Sequence, residues 1–349
     1  MTTPQETSRV LTTRGTSPAA LPDMEGWVRF SRSAEEAGIE SVLLSFSRYE
    51  PDTLLIATAV GRATSRLKFI AAYRSGFIQP ASFVQQINTV SGLIEGRIAL
   101  NIVAGSSTAE QKGYGDFLEH DERYARADEF LKICRSFWRN CGEADFEGRY
   151  FRIERGKIHT PFIARDRTEP EIYVSGHSEQ AQQLAVNRGD CWLRLIDTPE
   201  KLEPAVAYFR RQGIEVCLRL CVVCRSTRKQ AIEAAQSLLP DEEIGKLERA
   251  ILSRSDSQTL KQALATADDL GWMSRNLWAG LVPYYGSSAI TLLGSAEEIA
   301  GSFLEYKRIG VTQFIIAGWP KLEEMVIFGQ EVLPLVRDLE SRREGAIGD

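Results

Sequence analysis

The sequence predicts an α/β fold in which parallel strands alternate with helices, and two observations lead to this prediction. First, eight apolar runs of strand length recur along the 349 residues, with helical patterns between them. Second, most of these runs are apolar throughout, which is typical of parallel strands that helices cover on both faces. Because eight such strands close a barrel, we expect a TIM (β/α)8 barrel with insertions.

The predicted strands are spread over most of the chain. They cover residues 9–13, 40–46, 67–73, 98–104, 171–175, 191–195, 216–224 and 312–317. The runs that begin at Leu67 and Ile98 both end in small and polar residues, starting at Arg74 and Gly105. Parallel strands expose backbone N–H groups and short side chains at their carboxyl ends, so we expect the chemistry at these positions.

Helical segments connect these strands and have recognisable ends. We predict helices over residues 24–37, 51–61 and 79–96. The first stops before Gly38, while the other two begin at Pro51 and Pro80, because proline suits the first turn of a helix. Each helix is expected to return the chain to the next parallel strand.

Two stretches interrupt this alternation. Residues 141–170 are rich in charge and in short β-like pieces, which predicts a hairpin excursion. Residues 225–288 begin with helix formers and form a long insertion, and such insertions near a barrel rim tend to be lids or binding elements. We therefore expect a single domain over residues 1–349 that carries these two insertions.

The composition limits the class of protein. A net charge of −5 argues against a general nucleic-acid binder, which normally carries a basic excess. Residues 1–10 have no apolar core of the kind a secretory signal needs, and no apolar run approaches the roughly 18 residues of a membrane helix. We expect a cytoplasmic protein.

The six cysteines do not form a disulfide or metal pattern. Cys221 and Cys224 have the C-x-x-C spacing but lie inside a predicted buried strand. Residues three apart on a strand point to opposite faces, so the pair is unsuited to one metal ion. We expect buried thiols and no metal.

Common catalytic motifs are absent from the chain. It has no glycine-rich dinucleotide fingerprint, P-loop, zinc-protease or nucleophile-elbow motif. A cofactor that is bound mainly by backbone N–H groups and side-chain hydroxyls would leave few recognisable motifs in the sequence.

The best candidate for such a site is the segment from Tyr173 to Gln180. It combines a strand end, a turn that carries Gly176 and two serines, and the start of a helix. Free N–H groups and the positive end of a helix dipole would meet there, and a phosphate fits such a place. The alternative is an ordinary helix start that Ser178 caps.

A second helix start is found at residues 120–124, with the sequence His-Asp-Glu-Arg-Tyr. It precedes a predicted helix that runs to Trp138. Taken by itself, this motif is also compatible with a capped and solvated helix start.

Taken together, these residues resemble the flavin-dependent bacterial-luciferase-like monooxygenases, and most closely the alkanesulfonate monooxygenase branch. The resemblance extends in consistent order from about residue 10 to residue 336. The matching segments are residues 67–76 with Pro80, 96–105, 120–130, 175–178, 276–280 and 314–324.

The resemblance implies a TIM barrel with insertions that binds FMN in its reduced form, FMNH2. A separate NAD(P)H-dependent flavin reductase would supply the cofactor, and O2 would react with it to give a peroxyflavin that oxygenates a small-molecule substrate. It also implies a homodimer or homotetramer. Two alternatives stay open, namely a deazaflavin-dependent oxidoreductase and a flavin-binding barrel without catalysis.

The resemblance also assigns cofactor-binding residues. Asn101 would hydrogen-bond the flavin, and Tyr124 would approach the flavin or its phosphate. The phosphate would be held by Ser175, Gly176, His177 and Ser178, which is the segment that the helix-start argument selects.

The substrate side departs from the sulfonate pattern. A cysteine of the sulfonate enzymes corresponds to Glu50, a histidine near the strand-seven arginine to Cys221, and a first-strand histidine to Arg14. The lid arginine aligns near Tyr285, and the tyrosine after the last strand is Trp319. These differences argue against an alkanesulfonate substrate.

Arg219 is the residue that resembles the strand-seven arginine, and it lies in an apolar strand. Burial of an unpaired guanidinium is costly, so Arg219 should face a carboxylate, a phosphate or the substrate. An internal salt bridge with Glu50 is one alternative. With Arg14, Arg48 and Arg74 also at strand ends, an anionic or carbonyl-bearing substrate is plausible, and we expect Arg219, Trp319, Glu50 and Tyr285 to shape its pocket.

Overall fold

The computed structural model describes residues 23–48, 50–105, 107–240, 261, 264–265 and 271–347, with side chains up to Arg342. The predicted first strand at residues 9–13 and Arg14 lie outside the described residues. The chain divides into two compact units, the first with residues 20–32 and 40–192 and the second with residues 33–39 and 193–349. The expected single domain over residues 1–349 stays a prediction.

The first unit is built on a parallel sheet with the strand order β1-β2-β3-β6, flanked by helices. Its elements are α1 (Met24–Glu36), β1 (Ser41–Leu44), α2 (Thr53–Gly61), β2 (Lys68–Tyr73), α3 (Pro80–Leu93), β3 (Ile98–Ile102), α4 (Thr108–Gly113), α5 (His120–Arg139), β4 (Glu143–Glu147), β5 (Arg152–Lys157), β6 (Glu171–Ser175) and α6 (Glu179–Arg188). Both α1 and β7 (Cys191–Leu195) begin in this unit and end in the other.

In the second unit, β8 pairs in parallel with both β10 and β11, and β9 is antiparallel to β10. Its elements are α7 (Pro199–Arg211), β8 (Glu215–Cys224), α8 (Arg228–Gln236), β9 (Leu277–Trp278), α9 (Val282–Tyr285), a 3-10 turn (Ser287–Ala289), β10 (Thr291–Gly294), α10 (Ala296–Arg308), β11 (Gln313–Ala317), α11 (Lys321–Ile327), a π turn (Phe328–Val332) and α12 (Leu333–Ile347). None of the helices described here is long and apolar enough to span a bilayer.

The two faces of the first sheet have different roles. Tyr73 stacks on Phe83 of α3, with ring centroids 4.2 Å apart, so its face of β2 is the one that the helices cover. Side chains alternate along a strand, and the register pairs Ala72 with Asn101 and Asn101 with Tyr173. Asn101 therefore lies on the opposite face of the sheet.

The amino-terminal edge of this sheet is held by Arg97, the residue before β3. Its guanidinium donates to the carbonyls of Gly61, Thr64 and Leu67 and to the Thr64 hydroxyl, at 2.8–3.2 Å. These contacts tie the end of α2 to the starts of β2 and β3.

Most predicted elements are present, with shifted ends that have local causes. The second helix begins at Thr53 and not at Pro51, because the Asp52 side chain accepts hydrogen bonds from the N–H groups of Leu54 and Leu55. The third stops at Leu93 because Glu95 and Gly96 adopt positive φ values of 56° and 78°. The predicted hairpin in residues 141–170 is confirmed as β4 and β5.

Three short elements escaped the sequence prediction. The strands β9 and β10 have two and four residues, and α4 has six. Elements of this length are too short for hydrophobic periodicity to reveal. The prediction that Cys221 and Cys224 are buried free thiols is confirmed.

Candidate active site

Asn101 is a buried polar side chain in an otherwise apolar strand. It is only 4% exposed, and its Oδ1 accepts a hydrogen bond of 2.6 Å from the Ser175 hydroxyl at the end of β6. This bond fixes which way the amide points, because the carbonyl oxygen is already engaged. The Nδ2 group is then the part of Asn101 that can donate to a ligand.

Tyr124 and Ser178 meet at the start of α6. The Ser178 hydroxyl lies beside the Tyr124 phenol and partly offsets the rise in its pKa, and Ser178 also caps the helix by accepting from the Ala181 N–H at 3.2 Å. Burial raises the pKa of the Tyr124 phenol, so the hydroxyl remains protonated at neutral pH and can act as a donor. Ser178 therefore caps α6, as the alternative interpretation of this helix start proposed. It also lies beside Tyr124, which the resemblance gives as a cofactor residue.

Gly176 is required by the close approach of Tyr124. Its φ is +142°, and a Cβ built there would lie 2.6 Å from the Ala181 Cβ and 2.8 Å from the Tyr124 hydroxyl oxygen. Both contacts are far inside van der Waals distance, so any side chain at position 176 would push the tyrosine or the helix away. The glycine therefore allows the turn to approach Tyr124 closely.

The turn that follows β6 is held by its carbonyl groups. The Gly176 carbonyl accepts from the Trp192 indole N–H at 2.8 Å, and the His177 carbonyl accepts from Nε2 of Gln182 at 3.0 Å. These contacts hold the turn at the start of α6, where the positive end of the helix dipole favours an anion. Trp192 was not predicted from the sequence, since its strand appears as an apolar run.

Arg123 supplies positive charge next to Tyr124. It is 7% exposed and donates to two backbone carbonyls, those of Ala104 at 2.9 Å and Leu118 at 2.7 Å. No carboxylate pairs with this guanidinium in the part of the chain that the structure describes. Its positive charge favours an anion near the turn, while Glu179 in the first turn of α6 opposes one. The resemblance included Arg123, but sequence reasoning gave it no role.

The predicted substrate residues of the second unit centre on β8 and the segment after β11. Arg219 pairs in register with Ile315. Phe314, the next residue before Ile315, contacts Phe303 of α10 at 4.6 Å, so Arg219 lies on the face of β8 that is turned away from this helix. The arginine is half-buried in a strand that is otherwise apolar.

Tyr285 and Trp319 are brought together in this unit. Their ring centroids are 4.5 Å apart, and the Tyr285 hydroxyl donates to the Leu238 carbonyl at 2.9 Å. Trp319 is 5% exposed, and its indole N–H is buried without a partner among the described residues. Cys221, which takes the place of the histidine of the sulfonate enzymes, donates its thiol to the Ser288 carbonyl.

Glu50 belongs to the first unit, just after β1. It borders a shallow depression together with Trp27, Leu44 and Thr53. Since Arg219 belongs to the second unit, the salt bridge between Glu50 and Arg219 stays a prediction.

Comparison with known proteins identifies the class. The profile of the family described as luciferase-like monooxygenase matches residues 6–313, and the chain belongs to this family. It is therefore an enzyme, an oxidoreductase of the flavin-dependent monooxygenase class. The predicted fold class, an α/β TIM barrel, is confirmed.

Three similar solved structures span almost the full chain. Riboflavin lyase (RcaE), solved with modified FMN and riboflavin, is 19% identical with a TM-score of 0.75 over 95% of this chain and 88% of its own. EDTA monooxygenase (EmoA) from Chelativorans sp. BNC1 is 20% identical with a TM-score of 0.73 over 93% and 89%. An F420-dependent secondary alcohol dehydrogenase, solved with an F420-acetone adduct, is 18% identical with a TM-score of 0.65 over 90% and 96%.

We predict that Gly176→Ala destabilises the protein by about 1–3 kcal/mol. The new Cβ would clash with the Ala181 Cβ and with the Tyr124 hydroxyl. The melting temperature and urea midpoint would report the loss. Gly92→Ala is the matched control, since no atom lies within 4 Å of a Cβ built at that glycine near the end of α3. Equal stability of the two variants would contradict the close contact at Gly176.

Proposed function

We propose that this protein is the oxygenating component of a two-component monooxygenase. A separate NAD(P)H-dependent flavin reductase would supply reduced FMN, and the substrate would be a small polar or anionic organic molecule. When bound, reduced FMN supplies the activation of O2 that the protein side chains cannot provide. The family membership supports this class of reaction, and the similarity to RcaE, whose structure holds modified FMN, supports the choice of cofactor.

The observation that carries the proposal is the convergence of the predicted cofactor residues within the first unit. Tyr124 lies beside Ser178, and Ser175 donates a hydrogen bond to Asn101, although these residues come from three separate segments of the chain. The hydroxyl donors and the positive end of the α6 dipole suit a phosphate. These features support FMN, which ends in a phosphate.

Each of these residues would have a distinct task. The Ser178 and Tyr124 hydroxyls and the N–H groups of residues 176–178 would bind the phosphate, with the Arg123 charge nearby. Asn101 would donate from Nδ2 to the flavin ring, its orientation being set by Ser175. A side chain that is held in place before binding loses little entropy when the ligand arrives.

The substrate would be bound by Arg219, Trp319, Tyr285 and Glu50. Trp319 has an unpartnered indole N–H that can donate to a substrate oxygen, and Tyr285 stacks against it. The resemblance to the alkanesulfonate branch supports the cofactor half of this proposal. Because Glu50, Cys221, Tyr285 and Trp319 replace its substrate residues, we propose a substrate other than an alkanesulfonate.

A second candidate function is hydride transfer with a deazaflavin cofactor. The similarity to an F420-dependent alcohol dehydrogenase favours it, because the same fold serves that cofactor. The two reactions differ in their need for oxygen.

We expect Ser178→Ala to weaken the binding of reduced FMN by about 0.5–2 kcal/mol, the cost of losing one capping hydroxyl that also faces the ligand. Anaerobic fluorescence titration would measure the affinity. Thr227→Ala is the matched control, because Thr227 caps α8 in the same way by accepting from the Gln230 N–H. The proposal fails if both variants bind reduced FMN as tightly as the unmodified protein.

Product formation should require the reductase, NAD(P)H, FMN and O2 together. The assay offers a panel of small organic acids and carbonyl compounds, omits one component at a time, and follows isotope from 18O2 into the product by mass spectrometry. Turnover with reduced F420 in the absence of O2 would favour the deazaflavin alternative. Full turnover without any flavin would rule out both functions.

A further inference from the structure

The carboxyl end of β2 carries a buried arginine with donors to spare. Arg74 is 5% exposed, and its Nη2 donates to Oε2 of Glu110 at 2.6 Å. Its Nε and Nη1 are buried without a hydrogen-bond partner among the described residues. This pair lies after β2 and in α4, and neither residue belongs to the candidate active site described above.

Two neighbouring side chains are also incompletely paired. Among the described residues, the hydroxyl of Ser75, the next residue in the chain, is buried without a partner, and so is Oε1 of Gln111, whose Nε2 donates to the Ala104 carbonyl at 2.6 Å. A Cβ on Gly105, which has a φ of +84°, would lie 1.6 Å from Nε2 of Gln111 and 3.3 Å from Nε of Arg74. The arginine and the glutamine therefore flank this glycine, with donors and an acceptor side by side.

Unpaired buried groups are uncommon in folded proteins. Each destabilises the folded protein when no water or ligand satisfies it. The cluster of Arg74, Ser75 and Gln111 holds four such atoms, three of them able to donate and one only able to accept. A ligand that offers both a carbonyl oxygen and an N–H group would satisfy this set.

The charges of the cluster favour a neutral ligand. Glu110 already compensates Arg74, and its other oxygen accepts from the Arg48 backbone N–H at 2.7 Å. The next ion pair, between Arg126 and Asp116 at 2.6 Å, is compensated in the same way. A carboxylate would lose its hydration here without gaining a contact with an unpaired positive charge. An uncharged amide would not have this desolvation cost.

Aromatic rings border the arginine. The guanidinium carbon of Arg74 lies 4.8 Å from the Phe46 ring centroid and 5.8 Å from that of Tyr114. Phe77 stacks on Tyr114 with centroids 5.3 Å apart. Planar apolar surface next to unpaired hydrogen-bonding groups suits an aromatic or conjugated body.

We propose that Arg74, Ser75 and Gln111 form a binding site for an uncharged amide group, carried on a planar substrate. The carbonyl oxygen accepts from Arg74 and Ser75, and the N–H group donates to Oε1 of Gln111. The assignment of this group to the substrate rests on the proposed function. It also names the substrate class as planar amides or lactams.

The test uses the full chain saturated with FMN. Its probes are benzamide and benzoate, which have the same shape and differ in charge. Ligand-observed saturation-transfer NMR should show benzamide bound about tenfold more tightly than benzoate, because only benzoate carries a buried charge. Ser75→Ala and Arg74→Lys should each weaken benzamide binding by about twofold to tenfold. Arg135→Lys is the control. Arg135 is a buried arginine of α5 that pairs with Glu169 and Asp190, and it lies outside the cluster.

Ser75→Ala also separates binding from folding. Its hydroxyl has no protein partner, so the melting temperature should be unchanged while benzamide binds more weakly. Benzoate binding as tight as benzamide, or unchanged benzamide binding in both cluster variants, overturns the proposal. Loss of FMN affinity in Arg74→Lys would assign the cluster to the cofactor and overturn it as well. Failure of the unmodified protein to bind FMN would count against the proposed function instead.

Discussion

The geometry of the cofactor half depends on one close approach, that of the Tyr124 hydroxyl to the backbone of Gly176. The turn between β6 and α6 can come this near to α5 only because no Cβ is present. The same hydroxyl lies beside Ser178, which caps α6, so one tyrosine brings two helices and a strand end together. Burial keeps this phenol protonated, and the constraint therefore persists across ordinary pH.

Much of the fold could be predicted because parallel strands buried on both faces leave continuous apolar runs. The bounds of β6 and β7 agree with the predicted runs to the residue. Helix ends were less accurate, since caps such as Asp52 and left-handed residues such as Glu95 act over one or two positions. The strand β10 was missed because four residues before a capped helix carry too little pattern.

The candidate site was predictable in part for a different reason. Residues at a strand end or helix start, such as Asn101 and Ser178, are visible in the sequence because polar residues interrupt apolar runs. Contacts between distant segments are not, and the bond from Trp192 to the Gly176 carbonyl has no local signal. Arg74 was recognised only as a strand-end arginine, because the sequence shows neither its ion pair with Glu110 nor its unpaired donors.

Arg97 and Arg74, at opposite edges of the first sheet, differ in how many of their N–H donors bind other protein groups. Both terminal nitrogens of Arg97 donate hydrogen bonds, to three backbone carbonyls and one hydroxyl. A substitution of Arg97 would remove its contacts with Gly61, Thr64 and Leu67 at once. Arg74, at the other edge, has two donors without a partner among the described residues. Under the proposal made for Arg74, changes around it would alter what the enzyme accepts while the framework stays intact, and this edge would be the place where the scaffold acquires new chemistry during evolution.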